Sequence, residues 1–370
     1  MRALSFPNQD VLAGKPLRER GEGGPAVKHR SIALSTVVLI LSLLVSSPGG
    51  AQDRMRLTGS GASFPFPIYS AWFKAFSTKH KSITVDYQAK GSGAGIQDFV
   101  NRTVDFAASD AAMSDTDMAK VPGGVQLLPM TAGEIVLGYN ISGNAKGLKL
   151  PRDVYVGIFL GKITKWSDPK LKAANPGLTL PDSDITVVRR ADASGTTFVF
   201  TQHLSAISEE WKKGPGTGTT VNWPKSDKFV ASPKNDGVTA TIKQTPGSIG
   251  YIEFAFAKFS KIEMALLQNK SGAYVAAGGH GGAEALSSVK LPDDLRAWIT
   301  DPEGAKSYPI ATYTWMLFYK DNKDPKKAAG LRELVEYCLT EGQKMSEAMG
   351  YIPLPATVVT AVRKASSSIQ

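Results

Sequence analysis

Ile83–Val100 reads ITVDYQAKGSGAGIQDFV. Its first six residues, Ile83 to Gln88, place β-branched side chains at close intervals, which favours an extended, pleated strand. The turn Gly91-Ser92-Gly93-Ala94-Gly95 ends that run, and Ile96 to Val100 continues as a helical segment. A strand handing over to a helix through a glycine turn is the unit of α/β folds. Working outward, further strand-like runs stand at Val104 to Ala108, Glu134 to Tyr139, Asp184 to Arg189, Ser248 to Phe254 and Ala311 to Tyr319. Amphipathic helical segments lie between them. Ile68, Trp72, Ala75 and Phe76 share one helix face opposite Lys74 and Lys79, and Leu331, Leu334, Val335, Cys338 and Leu339 repeat the pattern near the end. The expected class is α/β, with Cys338 a core residue rather than a reactive thiol.

The same turn raises a chemical possibility. A helix start carries unpaired backbone N–H groups and a partial positive charge, so a glycine-rich turn entering a helix can hold an anion. Three such turns occur. Gly59-Ser60-Gly61-Ala62-Ser63-Phe64-Pro65 leads into the helix around Trp72, with Ser63 able to give a hydroxyl and Phe64 a backbone N–H and a water-excluding ring. Gly91 to Gly95 places Ser92 in the analogous position. Arg190-Ala191-Asp192-Ala193-Ser194-Gly195-Thr196 follows a strand directly and adds a guanidinium to two hydroxyls. Each turn alone reads first as an ordinary helix cap and only second as a ligand site. Together, three hydroxyl-bearing helix starts and one Arg make up the donor set of a tetrahedral oxyanion, provided the fold brings them together. Asp110 is discordant, because a carboxylate repels an anion unless the ligand carries a proton for it to accept; ionised carboxylates only accept. Its position equally suits a cap for the helix start at Ser114-Asp115-Thr116-Asp117.

Other chemistries lack their residues. There is no GxxxxGK[ST] and no GxSxG, and the dinucleotide fingerprint that Gly91, Gly93 and Asp110 suggest fails at its third glycine, where Ile96 stands. His29, His80, His203 and His280 are isolated from one another and from cysteine, and are expected at the surface. Neither an enzyme nor a metal site or cofactor is expected. The glycine patch from Ala276 to Ala283, around His280, reads as a mobile surface loop.

The first 51 residues read as an export signal with a long basic preface. Lys28-His29-Arg30 precedes an apolar run from Ile32 to Val45, too short to span a bilayer, and Gly49-Gly50-Ala51 supplies small residues for cleavage before Gln52. The stretch before Val27 suggests a misassigned start. Removing 51 of the 370 residues leaves 319, more than one core usually serves, and favours two lobes. With one cysteine no intramolecular disulfide can form, and none stands at the cleavage site for lipid attachment, so a periplasmic product that is not lipid-anchored is expected. The formal charge is +10, of which the first 51 residues carry +3. The sign suits an anionic partner, but the lysines are scattered rather than striped, and no nucleic-acid partner is expected.

At these residues the chain resembles the phosphate-binding subunit of the bacterial high-affinity phosphate ABC importer. The matching blocks are LTGSGASFPFPIYSAW from Leu57, NRTVDFAASDAAMS from Asn101, GIFLGKITKW from Gly157, VVRRADASGTTFVF from Val187 and PGSIGYIEFAFA from Pro246. The resemblance implies a phosphate site made by Ser63, Phe64, Ser92, Asp110, Arg190, Ser194, Gly195 and Thr196, with Asp110 accepting the ligand's proton and Asp192 pairing with Arg190. It implies a two-lobe, Venus-flytrap fold of the type II kind, ligand in the cleft, with two crossings near Thr131 and Tyr308. Lobe I would hold 52–131 plus 309–370, and lobe II 132–308. It further implies a monomer, without cofactor, that delivers phosphate to the importer's membrane permease. The alternatives are a related binder of another oxyanion, or an adhesion or signalling module that keeps the fold. The chain departs from the family in having Ser63 where Thr is frequent, which keeps the hydroxyl. Ala193 stands where Gly is frequent, which would restrict the turn if positive φ were needed.

Overall fold

The computed structural model describes residues 54–143 and 145–370; the expected export segment, its cleavage site before Gln52 and the suspected start near Val27 lie outside the described residues. Among the described residues, eight strands form the main path of a nine-stranded sheet: β1 (Met55–Gly61), β2 (Ile83–Ala89), β3 (Phe106–Ser109), β4 (Val125–Asn140), β5 (Thr186–Arg190), β6 (Phe229–Ser232), β7 (Ser248–Glu253) and β8 (Ala311–Tyr319). Their spatial order is β2-β1-β3-β8-β4-β7-β5-β6, and the short pair Glu263–Met264 adds to β4. Four helices position the polar turns: α1 (Phe66–Lys79), α2 (Ser92–Val100), α3 (Gly195–Ile207) and α4 (Lys234–Gln244).

Strands β1, β2 and β3 pair in parallel, as do β5, β6 and β7 among themselves. Parallel neighbours need a crossover, and α1 to α4 supply it. Between the two parallel groups run β4 and β8, antiparallel to each other and buried on almost every residue, as expected of strands covered on both faces. β4 changes partner along its length: Val125 to Glu134 pairs with β8, and Ile135 to Asn140 with β7. The β4–β8 register slips between Thr314 and Trp315, which face Thr131 and Pro129 and leave Met130 as a bulge. Proline cannot donate to a ladder, so the interruption falls where a hydrogen bond was already missing.

Parallel pairing sends the carboxyl ends of β1, β2 and β3 to one rim, where ligands of open α/β sheets bind. Ser63, Ser92 and Asp110 follow those three ends. The carboxyl ends of β5 and β6 lead in the same way to Ser194 and to the start of α4.

Two expectations need correction. His203 is not at the surface: it lies on the inner face of α3, buried, with Nε2 at 2.8 Å from the Tyr155 hydroxyl. The environment keeps it neutral, burial pushing its pKa down to about 4. The patch around His280 is a surface turn only from Ala276 to His280. Gly281–Ser287 is a helix whose Gly281 and Gly282 are buried, and the Gly278 N–H donates to the buried Glu134 carboxylate at 2.5 Å. Small residues stand there because Glu134 and Ile352 lie within 3 Å of where a Cβ on Gly282 would be. Cys338 is fully buried beyond the helix Pro325–Tyr337.

Candidate functional site

The first hydroxyl comes from the β1–α1 turn. β1 ends at Gly61, the Ala62 N–H donates to Ala108 O of β3 at 2.9 Å, and the chain turns so that Ser63 and Phe64 are buried ahead of α1. Tyr351 holds this turn from the C-terminal segment, its hydroxyl donating to Phe64 O at 2.7 Å. The second comes from α2, which starts at Ser92 rather than at Ile96. Ser92 Oγ accepts the Asp110 N–H at 3.3 Å, tying the β2 and β3 ends together.

Asp110 itself is buried, and its Oδ1 accepts from Thr314 Oγ1 at 2.8 Å. Burial pushes its pKa up to about 7, against the opposing pull of the Thr314 hydrogen bond, the Arg190 charge and Ser92. Capping the helix start at Ser114, the other role its position allowed, falls to Ser114, whose Oγ accepts the Asp117 N–H.

The second parallel group contributes the cation. Arg190 ends β5 with its guanidinium almost wholly enclosed, and Asp192 grips it through Nε at 2.9 Å and through Nη2. Burial would raise the Asp192 carboxyl, but the Arg190 hydrogen bonds and charge outweigh it and hold the group below the usual range. Arg190 Nη1 donates to Thr196 Oγ1 at 3.3 Å. Ser194 caps α3 by accepting the Thr197 N–H at 3.1 Å, and Gly195 and Thr196 form its first turn.

These pieces meet. The Gly93 N–H donates to Ala193 O at 3.0 Å, a direct bond between two of the turns. A Cβ on Gly195 would fall 2.5 Å from Ser92 Oγ and 2.7 Å from Asp110 Oδ2, so only glycine permits this approach. Ala193 adopts no left-handed backbone, so its methyl does not strain the third turn; it packs instead against Gly93, where an added Cβ would lie 2.5 Å away. A polar cluster enclosed by protein thus gathers Ser63, Phe64, Ser92, Asp110, Arg190, Ser194, Gly195 and Thr196. A separate cavity of about 310 Å³ beside β4, lined by Glu134, Phe254 and Tyr351, contains none of them.

Two residues of the cluster escape a reading of the sequence. Asn235, in the first turn of α4, donates through Nδ2 to Ser63 Oγ at 3.1 Å and to Thr196 Oγ1 at 3.2 Å. Its signal was a further strand-to-helix turn, Ser232-Pro233-Lys234-Asn235, without the glycine-serine pattern of the others. Thr314 was visible only as a hydroxyl inside the apolar run Ala311 to Tyr319.

Residues 46–341 match a PBP superfamily domain. The chain is 35% identical over 316 residues to a phosphate-binding protein PstS of Xylella fastidiosa, covering 84% of this chain and 85% of that one. It is 37% identical over 310 residues to the PstS of Haemophilus influenzae, covering 83% and 91%. For the PstS of Methanocaldococcus jannaschii the identity is 36% over 369 residues, covering 92% and 95%. Among solved structures, a high-affinity periplasmic phosphate-binding protein, PfluDING, bound with phosphate, superposes with a TM-score of 0.69 at 22% identity, over 84% of this chain and 93% of that one. A phosphate-binding protein of Stenotrophomonas maltophilia gives 0.67 at 21%, over the same shares. At those identities the structural likeness concerns the two-lobe fold.

Proposed function

Since this chain belongs to the PstS phosphate-binding proteins of the PBP superfamily, we propose that it captures inorganic phosphate, as hydrogen phosphate, and delivers it to the membrane permease of a phosphate ABC importer. The observation that carries this reading is the enclosed cluster of hydroxyls around one guanidinium and one carboxyl, Asp110. Donors from Ser63, Ser92, Arg190, Ser194 and Thr196, with the N–H groups of Phe64, Gly195 and Thr196, satisfy the ligand oxygens. Asp110 accepts the one proton the ligand brings. No bond of the ligand is broken, and Asp192 orients Arg190 and offsets its charge, so the anion is balanced by helix starts and hydroxyls as much as by net charge.

The lobes are 52–131 with 309–370 and 132–308, a division supported by the change of partner in β4 between Glu134 and Ile135 and by the entry of β8 at Ala311. Ligand binding closes the cleft between them. The expected place of action is the periplasm, reached through the leader in residues 1–51; among the described residues no helix is long and apolar enough to cross a membrane.

The pH dependence tests this. Sulfate brings no proton, so it fits only when Asp110 carries one itself, and with a pKa of about 7 that form is lost as pH rises. Sulfate affinity of the 52–370 product should fall by about tenfold per pH unit above 7, while hydrogen phosphate holds its affinity. Glu253, another buried carboxyl pushed above the usual range by desolvation, is the competing source of such a slope; Asp110→Asn should abolish the slope if Asp110 is its source. Calorimetry that found phosphate and sulfate equally tight at pH 8.5 would sink the reading.

Closure is tested separately. Gly195→Ala should keep the fold, since Gly195 has no left-handed backbone, but the methyl would collide with Ser92 and Asp110. An overpacking cost of about 1–3 kcal/mol corresponds to a roughly fivefold to 150-fold weaker phosphate affinity. Unchanged affinity would mean that this approach of α3 to Asp110 is not part of the bound state.

A further inference from the structure

Asn235 is fully buried and lies between residues of both parallel groups of strands. Its amide orientation is unambiguous, because Oδ1 accepts the Glu253 backbone N–H at 3.0 Å, and a backbone N–H can only donate. Nδ2 therefore faces the two hydroxyls, and its two hydrogens are both used, one on Ser63 Oγ and one on Thr196 Oγ1. The Asn235 backbone N–H adds a second bond to Ser63 Oγ at 3.1 Å. Thr196 Oγ1 receives its second from Arg190 Nη1 at 3.3 Å.

A hydroxyl has two lone pairs and one proton. Ser63 Oγ and Thr196 Oγ1 each accept two hydrogen bonds, so both have only the proton left to offer, and among the described residues neither gives it to a protein acceptor. We propose that Asn235 is a positioning residue that fixes the polarity of Ser63 and Thr196, making both hydroxyls obligate donors toward the ligand and joining them across the cleft in the closed form. It does so without touching the ligand. The backbone supports this placement: Lys234 just before it adopts φ 58°, a conformation rare for a residue with a side chain, and its N–H donates to Asp192 at 2.9 Å. The resulting specificity is for oxygens that accept at these two corners, leaving the ligand's single proton to Asp110. The inference rests on the phosphate reading of the site.

Asn235→Asp keeps shape and the Glu253 contact but replaces both side-chain N–H donors with an acceptor, which would draw the Ser63 and Thr196 protons away from the ligand. Phosphate affinity should fall by at least about a hundredfold, two hydrogen bonds to a charged ligand being at stake, and by more than in Asn235→Ala. The effect should also depend on the hydroxyls: in a Ser63→Ala, Thr196→Val background, Asn235→Ala should cost less than about threefold, because nothing remains for it to orient. Wild-type binding with unchanged affinity in Asn235→Asp, or losses that simply add in the triple variant, would overturn the inference and leave the phosphate reading standing. A wild-type protein that binds no phosphate would overturn both. Should the variants fail to fold, neutron diffraction of the wild-type phosphate complex decides: the Ser63 and Thr196 deuteriums are expected on the ligand side, and deuteriums pointing at Asn235 would refute the proposal.

Discussion

Arg190→Ala should lose about 2–5 kcal/mol of phosphate binding, the range for truncating one partner of a buried, hydrogen-bonded charge pair. That corresponds to a loss of roughly thirtyfold to several thousandfold. The loss has three sources in the structure. Among the described residues Arg190 is the one guanidinium in the cluster, with only 2% of its side chain exposed, so water does not replace it. Its removal strands Asp192, a partly buried carboxylate, beside the incoming anion. It also frees a lone pair on Thr196 Oγ1, so that this hydroxyl is no longer bound to donate to the ligand. The fold should survive, since Val187 and Val188 of β5 remain buried and the strand keeps its backbone ladder. Calorimetry beside a thermal melt checks both points, and a folded variant that binds as the parent does would remove Arg190 from the site.

Asp110→Asn should change what is bound more than whether something is bound. Asn keeps an acceptor for the Thr314 hydroxyl but can present an NH₂ toward Gly195, where the native side chain presents Oδ2. A ligand proton then has no acceptor, and a sulfate oxygen gains a donor. Sites built to bond a particular ligand hydrogen reject analogues lacking it by about 10⁴–10⁵, so removing that device should lower the phosphate-to-sulfate preference by at least about a hundredfold. Phosphate should weaken and sulfate tighten. Parallel titrations with the two anions at pH 8 measure the ratio; a preference equal to that of the parent protein would assign discrimination to another group.

Local chemistry made much of this legible. Ile83 to Val100 and Val187 to Leu204 each hold a β-branched run, a small-residue turn and a helix within about twenty residues, and the strands and helices form there in that order, although α2 begins at Ser92, inside the glycine turn, rather than at Ile96 after it. β1 was hidden because Met55–Gly61 is rich in glycine and serine; it is extended because β2 and β3 pair with it from both sides. The first half of β4 was hidden by Pro129 and Gly133, which the bulge and the packing of Phe64 accommodate. Hydroxyls at helix starts could be seen one turn at a time, but not that Ser63 lies within reach of Asn235, 172 residues later. Such meetings depend on β4 and β8, which no short window contains. The end of the patch around His280 was misread for the same reason: glycine composition suggested a loop through Ala283, whereas Gly281 and Gly282 are buried in a helix where Glu134 and Ile352 leave room only for small residues.

The most direct measurement is a crystal structure of the 52–370 product grown with phosphate. The expected result is one phosphate with oxygens within hydrogen-bonding distance of Ser63 Oγ, Thr196 Oγ1 and the Arg190 guanidinium, and with its protonated oxygen against Asp110. Phosphate held only elsewhere, such as in the cavity beside Glu134, or a cluster without phosphate at saturating concentration, would contradict it.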